Sequence, residues 1–188
     1  MSNYEMKGDY MIYKYKDYIS NVEIMGDDVC RYLLSFTLQD CDNKSALVIM
    51  QNPSKANKNI SDQTINTVLE VLHKFRYQNV YITNLVPYYA TDSNDISELV
   101  KDKIKVHQKN DNIIKEKIKS VDKIFVAWGG RNGFEKDFYN LRLSAIKKLL
   151  INKTVYCYKV NDNSTPIHPS RNQWSSSARE EDFIKYSL

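Results

Sequence analysis

The abrupt change of polarity between Ser45 and Asn57, SALVIMQNPSKAN, limits the fold of this chain more than any other feature. Ser45 to Met50 is a short apolar run with β-branched residues. Its lack of alternation predicts a strand buried on both faces, as in a parallel sheet. Polarity then reverses at Gln51-Asn52-Pro53-Ser54-Lys55. Proline cannot donate to a sheet ladder and biases the preceding residue away from helix, so the chain leaves the sheet at Asn52. In open α/β sheets, ligands bind just outside the carboxyl ends of strands. The reversal puts two amides, a hydroxyl and an ammonium there. A strand that merely closes in a polar turn is the plain alternative, since Asn-Pro commonly opens turns.

The pattern recurs. Val29–Thr37 reads as a strand before the central one. A polar loop follows Asn52, then Ser61 or Asp62 caps a helix whose stripe is Ile65, Val68, Leu69, Leu72 and Phe75. Asn79–Thr83 is a second short strand, ending in Asn84-Leu85-Val86-Pro87. A lysine-rich helix over Val106–Ser120 turns Ile113, Ile114 and Ile118 inward, its lysines forming a solvated face. Val121–Trp128 is the third strand, broken by Gly129-Gly130. A further helix carries Phe134, Phe138, Leu141, Ala145, Ile146 and Leu149. Lys153–Val160 is the fourth strand, and Ala178–Tyr186 a short terminal helix. This alternation predicts one domain over residues 1–188: a three-layer α/β/α core from residue 29, with a mainly parallel sheet of about four strands. The tyrosine-rich residues 1–28 are an N-terminal arm or extra edge strands.

Composition narrows the partners. A chain of 188 residues that is 42% hydrophobic can bury a real core. A net charge of +4 tolerates a nucleic-acid or nucleotide partner without demanding one. Cys30, Cys41 and Cys157 lack metal-ligand spacing and are odd in number, which argues against a zinc site or a disulfide framework. No leader and no membrane-length apolar run is read, so the expectation is a cytoplasmic protein without membrane contact. The glycine-rich phosphate loops, HExxH and GxSxG are all absent. Neither a metal nor a cofactor is expected; oligomeric state is not encoded in any pattern.

Arg31-Tyr32, Asn52-Pro53-Ser54, Asp62-Gln63-Thr64, Asn84-Leu85, Ala90-Thr91-Asp92, Ala127-Trp128-Gly129 and His168-Pro169 together resemble the bacterial and phage family called domain of unknown function 1643. More distantly, the strand-end motifs are similar, in order, to those of the uracil-DNA glycosylase superfamily. That resemblance implies a uracil-DNA glycosylase-like fold, with Asn52 positioning a water, Asn84 reading the base, and His168 in a His-Pro-Ser loop steadying the leaving base. Ser54 replaces the usual glycine or tyrosine after Pro53. Arg171 stands where the single-strand-selective branch has proline, and Trp174 is the candidate wedge.

The chemistry suits these residue types. Cleaving an N-glycosidic bond leaves a cationic sugar and an anionic base, so it needs a placed water, a donor to the departing base and an edge reader. Asn52 and His168 are therefore the expected catalytic residues. Gln51, Pro53, Ser54, Asn84, Tyr88, Trp128, Gly129, Ser170 and Arg171 are the expected substrate-binding set. Asn84 offers both a donor and an acceptor to a pyrimidine edge. Ser54 and Ser170 could hold phosphates, and Tyr88 or Tyr89 could stack on a base. Each also has a structural reading: Asn84 as a local backbone bonder, His168 as a loop residue on a carbonyl, Trp128 as core. Two functions fit: a nucleobase N-glycosidase, and a non-catalytic nucleotide or nucleic-acid binding module using the same pocket, for instance in phage–host conflict.

Overall fold

A computed structural model describes residues 4–7, 10–89, 103–131, 133–170 and 174–188. β5 (Asp42–Met50) is the spine. Its Ala46, Leu47, Val48, Ile49 and Met50 are at most 2% exposed, because both neighbours pair with it along the apolar run. β6 (Tyr77–Asn84) lies parallel on one side and β7 (Lys123–Val126) parallel on the other, and β8 (Val155–Cys157) continues the parallel block beyond β7. These are the central strand and the second, third and fourth strands read from the sequence.

The sheet is larger and less uniform than that reading. It has seven strands in the order β3-β4-β6-β5-β7-β8-β9. β4 (Arg31–Leu38) joins β6 antiparallel, β3 (Ile19–Gly26) forms the antiparallel edge, and β9 (Ile184–Lys185) closes the far edge antiparallel to β8. The mainly parallel, four-strand expectation is therefore corrected to a mixed sheet around a parallel block. β4 is the strand expected at Val29–Thr37 and β3 lies in the stretch expected to supply an arm or edge strands, whereas β9, with two residues, is too short to display a period. A separate hairpin, β1 (Tyr4–Lys7) with β2 (Tyr10–Tyr13), precedes them.

Two cores flank the sheet. On one face, α1 (Gln63–Lys74) presents Ile65, Val68, Leu69 and Leu72 to Val48, Met50, Val80 and Ile82. Asp62 is its cap, accepting from Ile65 N at 2.8 Å. On the other face, α2 (Lys103–Ser120) and α3 (Lys136–Leu149) pack Ile114, Ile118, Tyr139 and Ile146 on Leu47, Ile49 and Val126. The lysines of α2 are not all in water: Lys109 lies 4.4 Å from the ring centre of Tyr32, and Lys117 3.6 Å from that of Tyr81. The inward stripe of α3 is Tyr139, Arg142 and Ile146, whereas Leu141 is 67% exposed. No helix among the described residues is long and apolar enough to cross a membrane.

The expected terminal helix is absent from 178–186. A single 3-10 turn at Glu180–Asp182 leads directly into β9. Phe183 is the reason: its ring meets Phe75, Phe125, Tyr158 and Trp174 at centroid distances of 5.0–5.5 Å, and a helix would carry it off that cluster. Trp174, expected as a wedge, is 1% exposed and belongs to this core. Trp174→Ala should therefore cost about 3–5 kcal/mol of stability, measured by urea unfolding; a surface wedge would lose well under 1 kcal/mol.

Candidate functional site

Three loops leave the same end of the parallel block. Asn84 ends β6 directly beside Met50, the last residue of β5. Past that point, Leu85 N donates to Met50 O at 2.8 Å and Val86 N to Gln51 O at 3.0 Å, so the two chains stay zipped as they leave the sheet. On the other side Ala127 N donates to Ile49 O at 2.8 Å, and Gly129 N to Pro166 O at 3.0 Å. The last bond ties the His168 loop to the end of β7.

Gly129 permits that approach. Its φ is +67°, and a Cβ there would sit 2.9 Å from the Cβ of His168. The first number favours glycine conformationally; the second leaves no room for a methyl. Gln51 is buried and donates from Nε2 to Gly130 O at 2.5 Å, fastening the first loop to the third. The Pro53 ring beyond it is buried.

The Asn84 loop is held from behind. Asn110 Nδ2 donates to Asn84 O at 3.0 Å, and Arg142 Nε to Leu85 O at 3.0 Å. Arg142 is itself fixed by a two-point ion pair to Asp111, one arm at 3.1 Å. Backbone carbonyls that end a strand are thus satisfied by α2 and α3. The Asn84 side chain, by contrast, is fully buried, and neither Nδ2 nor Oδ1 has a partner. An unpaired amide in the interior costs several kcal/mol, and both halves are unpaired here.

His168 is largely buried, and burial lowers its pKa to about 4, against a smaller opposing influence from the Asp62 carboxylate. Ser170 N donates to His168 Nδ1 at 3.2 Å. Nδ1 is therefore an acceptor, and the proton of the neutral ring sits on Nε2. Asn52 is half-buried, with Nδ2 turned toward the Pro53 carbonyl at 3.4 Å. The Ser54 hydroxyl is buried without a partner.

Two expected binders point elsewhere. Trp128 is 0% exposed in the core under α2 and α3, edge-on to Tyr186 at 5.9 Å. Alternation along β7 sends it to the face opposite Ala127, which packs with Met50. Tyr88 is equally sealed in that second core, 5.5 Å from the His107 ring. Arg171 and the Ala90-Thr91-Asp92 motif lie outside the described residues.

Two residues were passed over as site groups. Arg31 is 0% exposed, and Asp62 has one carboxylate oxygen buried without a partner. The sequence signal for both was their membership of the Arg-Tyr and Asp-x-Thr motifs. Among the described residues no three His, Cys, Asp or Glu side chains gather as a metal site requires. A cavity of about 550 Å³ is remote from these loops, between α2 and the middle of β3, β4 and β6.

Comparison with known proteins adds one fact. The family model of DUF1643, described as a protein of unknown function, matches residues 31–170. The chain belongs to the DUF1643 family. The matched region begins at Arg31 and takes in the loops carrying Asn52, Asn84 and His168. No curated protein and no solved structure matches the chain.

Two outcomes follow for this DUF1643 protein. Gly129→Ala should destabilise it by about 1–3 kcal/mol, and the His168 resonances in a histidine-labelled NMR spectrum should move. The folded His168 refuses a proton down to about pH 4, while the unfolded ring accepts one near 6.5. Stability present above pH 6.5 is therefore lost as the pH falls, and the loss is complete below about 4. The wild type should lose roughly 2–3 kcal/mol more than His168→Gln between pH 7 and 4, measured by urea unfolding at each pH.

Proposed function

We propose that the protein recognises a nucleobase at these strand ends and cleaves its N-glycosidic bond, in the manner of the uracil-DNA glycosylase superfamily. The buried, wholly unpaired amide of Asn84 carries this reading. One N–H donor and one C=O acceptor, fixed side by side and out of water, complement the carbonyl and imino N–H of a pyrimidine edge. A protein that retains such a cost in its interior gains it back when a ligand supplies both partners.

The bond from sugar C1′ to base nitrogen breaks with its electron pair going to the base. A water oriented by the Asn52 amide adds its oxygen to C1′ and releases a proton to solvent. His168 Nε2–H donates to the base carbonyl, where negative charge collects, and the base then takes a proton from solvent. A neutral imidazole suits this role, because it stabilises the anion by hydrogen bonding without having to be charged in a buried place. The products are a sugar hemiacetal and free base.

A second reading keeps the pocket and removes the reaction: a module that binds a nucleotide or nucleic acid without cutting it. The position of Asn52 favours it, because its amide nitrogen is turned on the carbonyl of its own neighbour. One experiment separates the two. The protein is incubated with nucleotides and with single- and double-stranded oligonucleotides, and mass spectrometry follows retained ligand and released base. Under the glycosidase reading free base accumulates, Asn52→Ala stops its release while retaining the ligand, and Asn84→Ala weakens retention about 10- to 100-fold. Retained ligand without free base selects the binding module. Neither ligand nor base, from any substrate, ends both readings.

A further inference from the structure

Base recognition leaves a second group of buried polar atoms unused. Arg31 opens β4 and is completely sealed. Its backbone N donates to Pro87 O at 2.8 Å, three residues past Asn84. Its Nη1 donates to Ala56 O at 2.7 Å and Ser54 O at 3.3 Å, four and two residues past Asn52. The root of this side chain is thus fastened to the Asn84 loop and its tip to the Asn52 loop.

The rest of the guanidinium has nothing to hold. Nε and Nη2 lack any acceptor, and among the described residues no carboxylate forms an ion pair with it. Nε–H and Nη2–H point the same way from one edge of the planar group. That edge matches two oxygens of one phosphate, which point-charge lysine cannot do. The Ser54 hydroxyl, on the residue whose carbonyl Arg31 already binds, is also buried and unpartnered. The Asp62 carboxylate acts on Arg31 through space but forms no ion pair with it, and a buried cation without a direct ion-pair partner costs several kcal/mol. Purely structural service to two carbonyls would not need a charge at all.

We propose that the free edge of Arg31 and the Ser54 hydroxyl form an anion subsite that takes a phosphate of the ligand whose base Asn84 reads. The inference rests on the nucleobase reading for its ligand and adds the phosphate. A nucleoside is then a poor ligand, and a nucleoside monophosphate or a strand phosphodiester a good one.

Isothermal titration tests this with a pyrimidine nucleoside, its 5′-monophosphate, a short single-stranded oligonucleotide and inorganic phosphate, all at matched chloride. The variants are Ser54→Ala, which removes one hydroxyl from a folded loop, and Arg31→Lys, which keeps the charge but not the two-point edge. Circular dichroism confirms that each is folded. The monophosphate or the oligonucleotide should bind at least about tenfold tighter than the nucleoside, and whichever does so is the source of the phosphate. Either variant should abolish most of that advantage, so that on the variant the phosphorylated ligand binds within about twofold of the nucleoside measured on the same variant. Nucleoside bound as tightly as both phosphorylated ligands would overturn the subsite while leaving base recognition intact. Equal advantage in wild type and in both variants would overturn it too. Saturable inorganic phosphate lost in the variants, with no nucleoside bound, would uphold the subsite and reject the base reading.

Discussion

Everything in this molecule hangs on β5 being paired on both sides and covered on both faces. Its apolar run must be enclosed by parallel neighbours and by helices above and below, and both core layers take their strand residues from it in alternation. The run cannot continue past Met50, because Gln51, Asn52 and Pro53 offer polar groups and a missing donor instead of ladder partners. The same constraint that builds the core therefore opens a rim, and opens it in the middle of the sheet, where three adjacent strands end together.

The rim is made firm by main-chain accounting. The backbone donors of Leu85, Val86, Ala127 and Gly129 each find a carbonyl on a neighbouring strand or loop, and the carbonyls of Asn84 and Leu85 are taken by Asn110 and Arg142. A loop with its backbone thus satisfied can afford unsatisfied side chains. The Asn84 amide, the Ser54 hydroxyl and the free edge of Arg31 are among the polar groups left over in and beside these loops, together with Thr83 Oγ1 and Asp62 Oδ2. Single unpartnered atoms also occur in the cores, on Tyr88, Trp128 and Trp174 among others, but the Asn84 amide lacks partners on both its donor and its acceptor and the Arg31 guanidinium on two of its nitrogens.

Legibility in the sequence followed the length and period of each signal. The four strands of the parallel block and the α1 stripe were readable, because an unbroken apolar run and a 3.6-residue period each span enough residues to be distinctive. The far edge was not: β9 has two residues, and its place depends on Phe183 reaching aromatic partners far away in sequence. Aromatic residues misled for a related reason. Tyr88, Trp128 and Trp174 stand beside the polar motifs in the chain, yet all three are core, because neighbouring residues on an extended chain project in opposite directions and only one direction meets the rim. Arg31 and Asp62 were visible as motif members but not as site groups, since nothing local says that an arginine beginning a strand will be buried without a direct ion-pair partner.

The sequence by itself determined where the chain must enter and leave the sheet, because burial, proline's missing donor and helical period act over a few neighbouring residues. It also determined the chemical inventory at those exits: amides at 52 and 84, an imidazole at 168. Only the tertiary structure decided which of those groups stay unpaired. Pairing depends on what other segments bring to within hydrogen-bond reach, and Asn110, Arg142 and the Gly129–His168 approach come from parts of the chain that no local pattern connects.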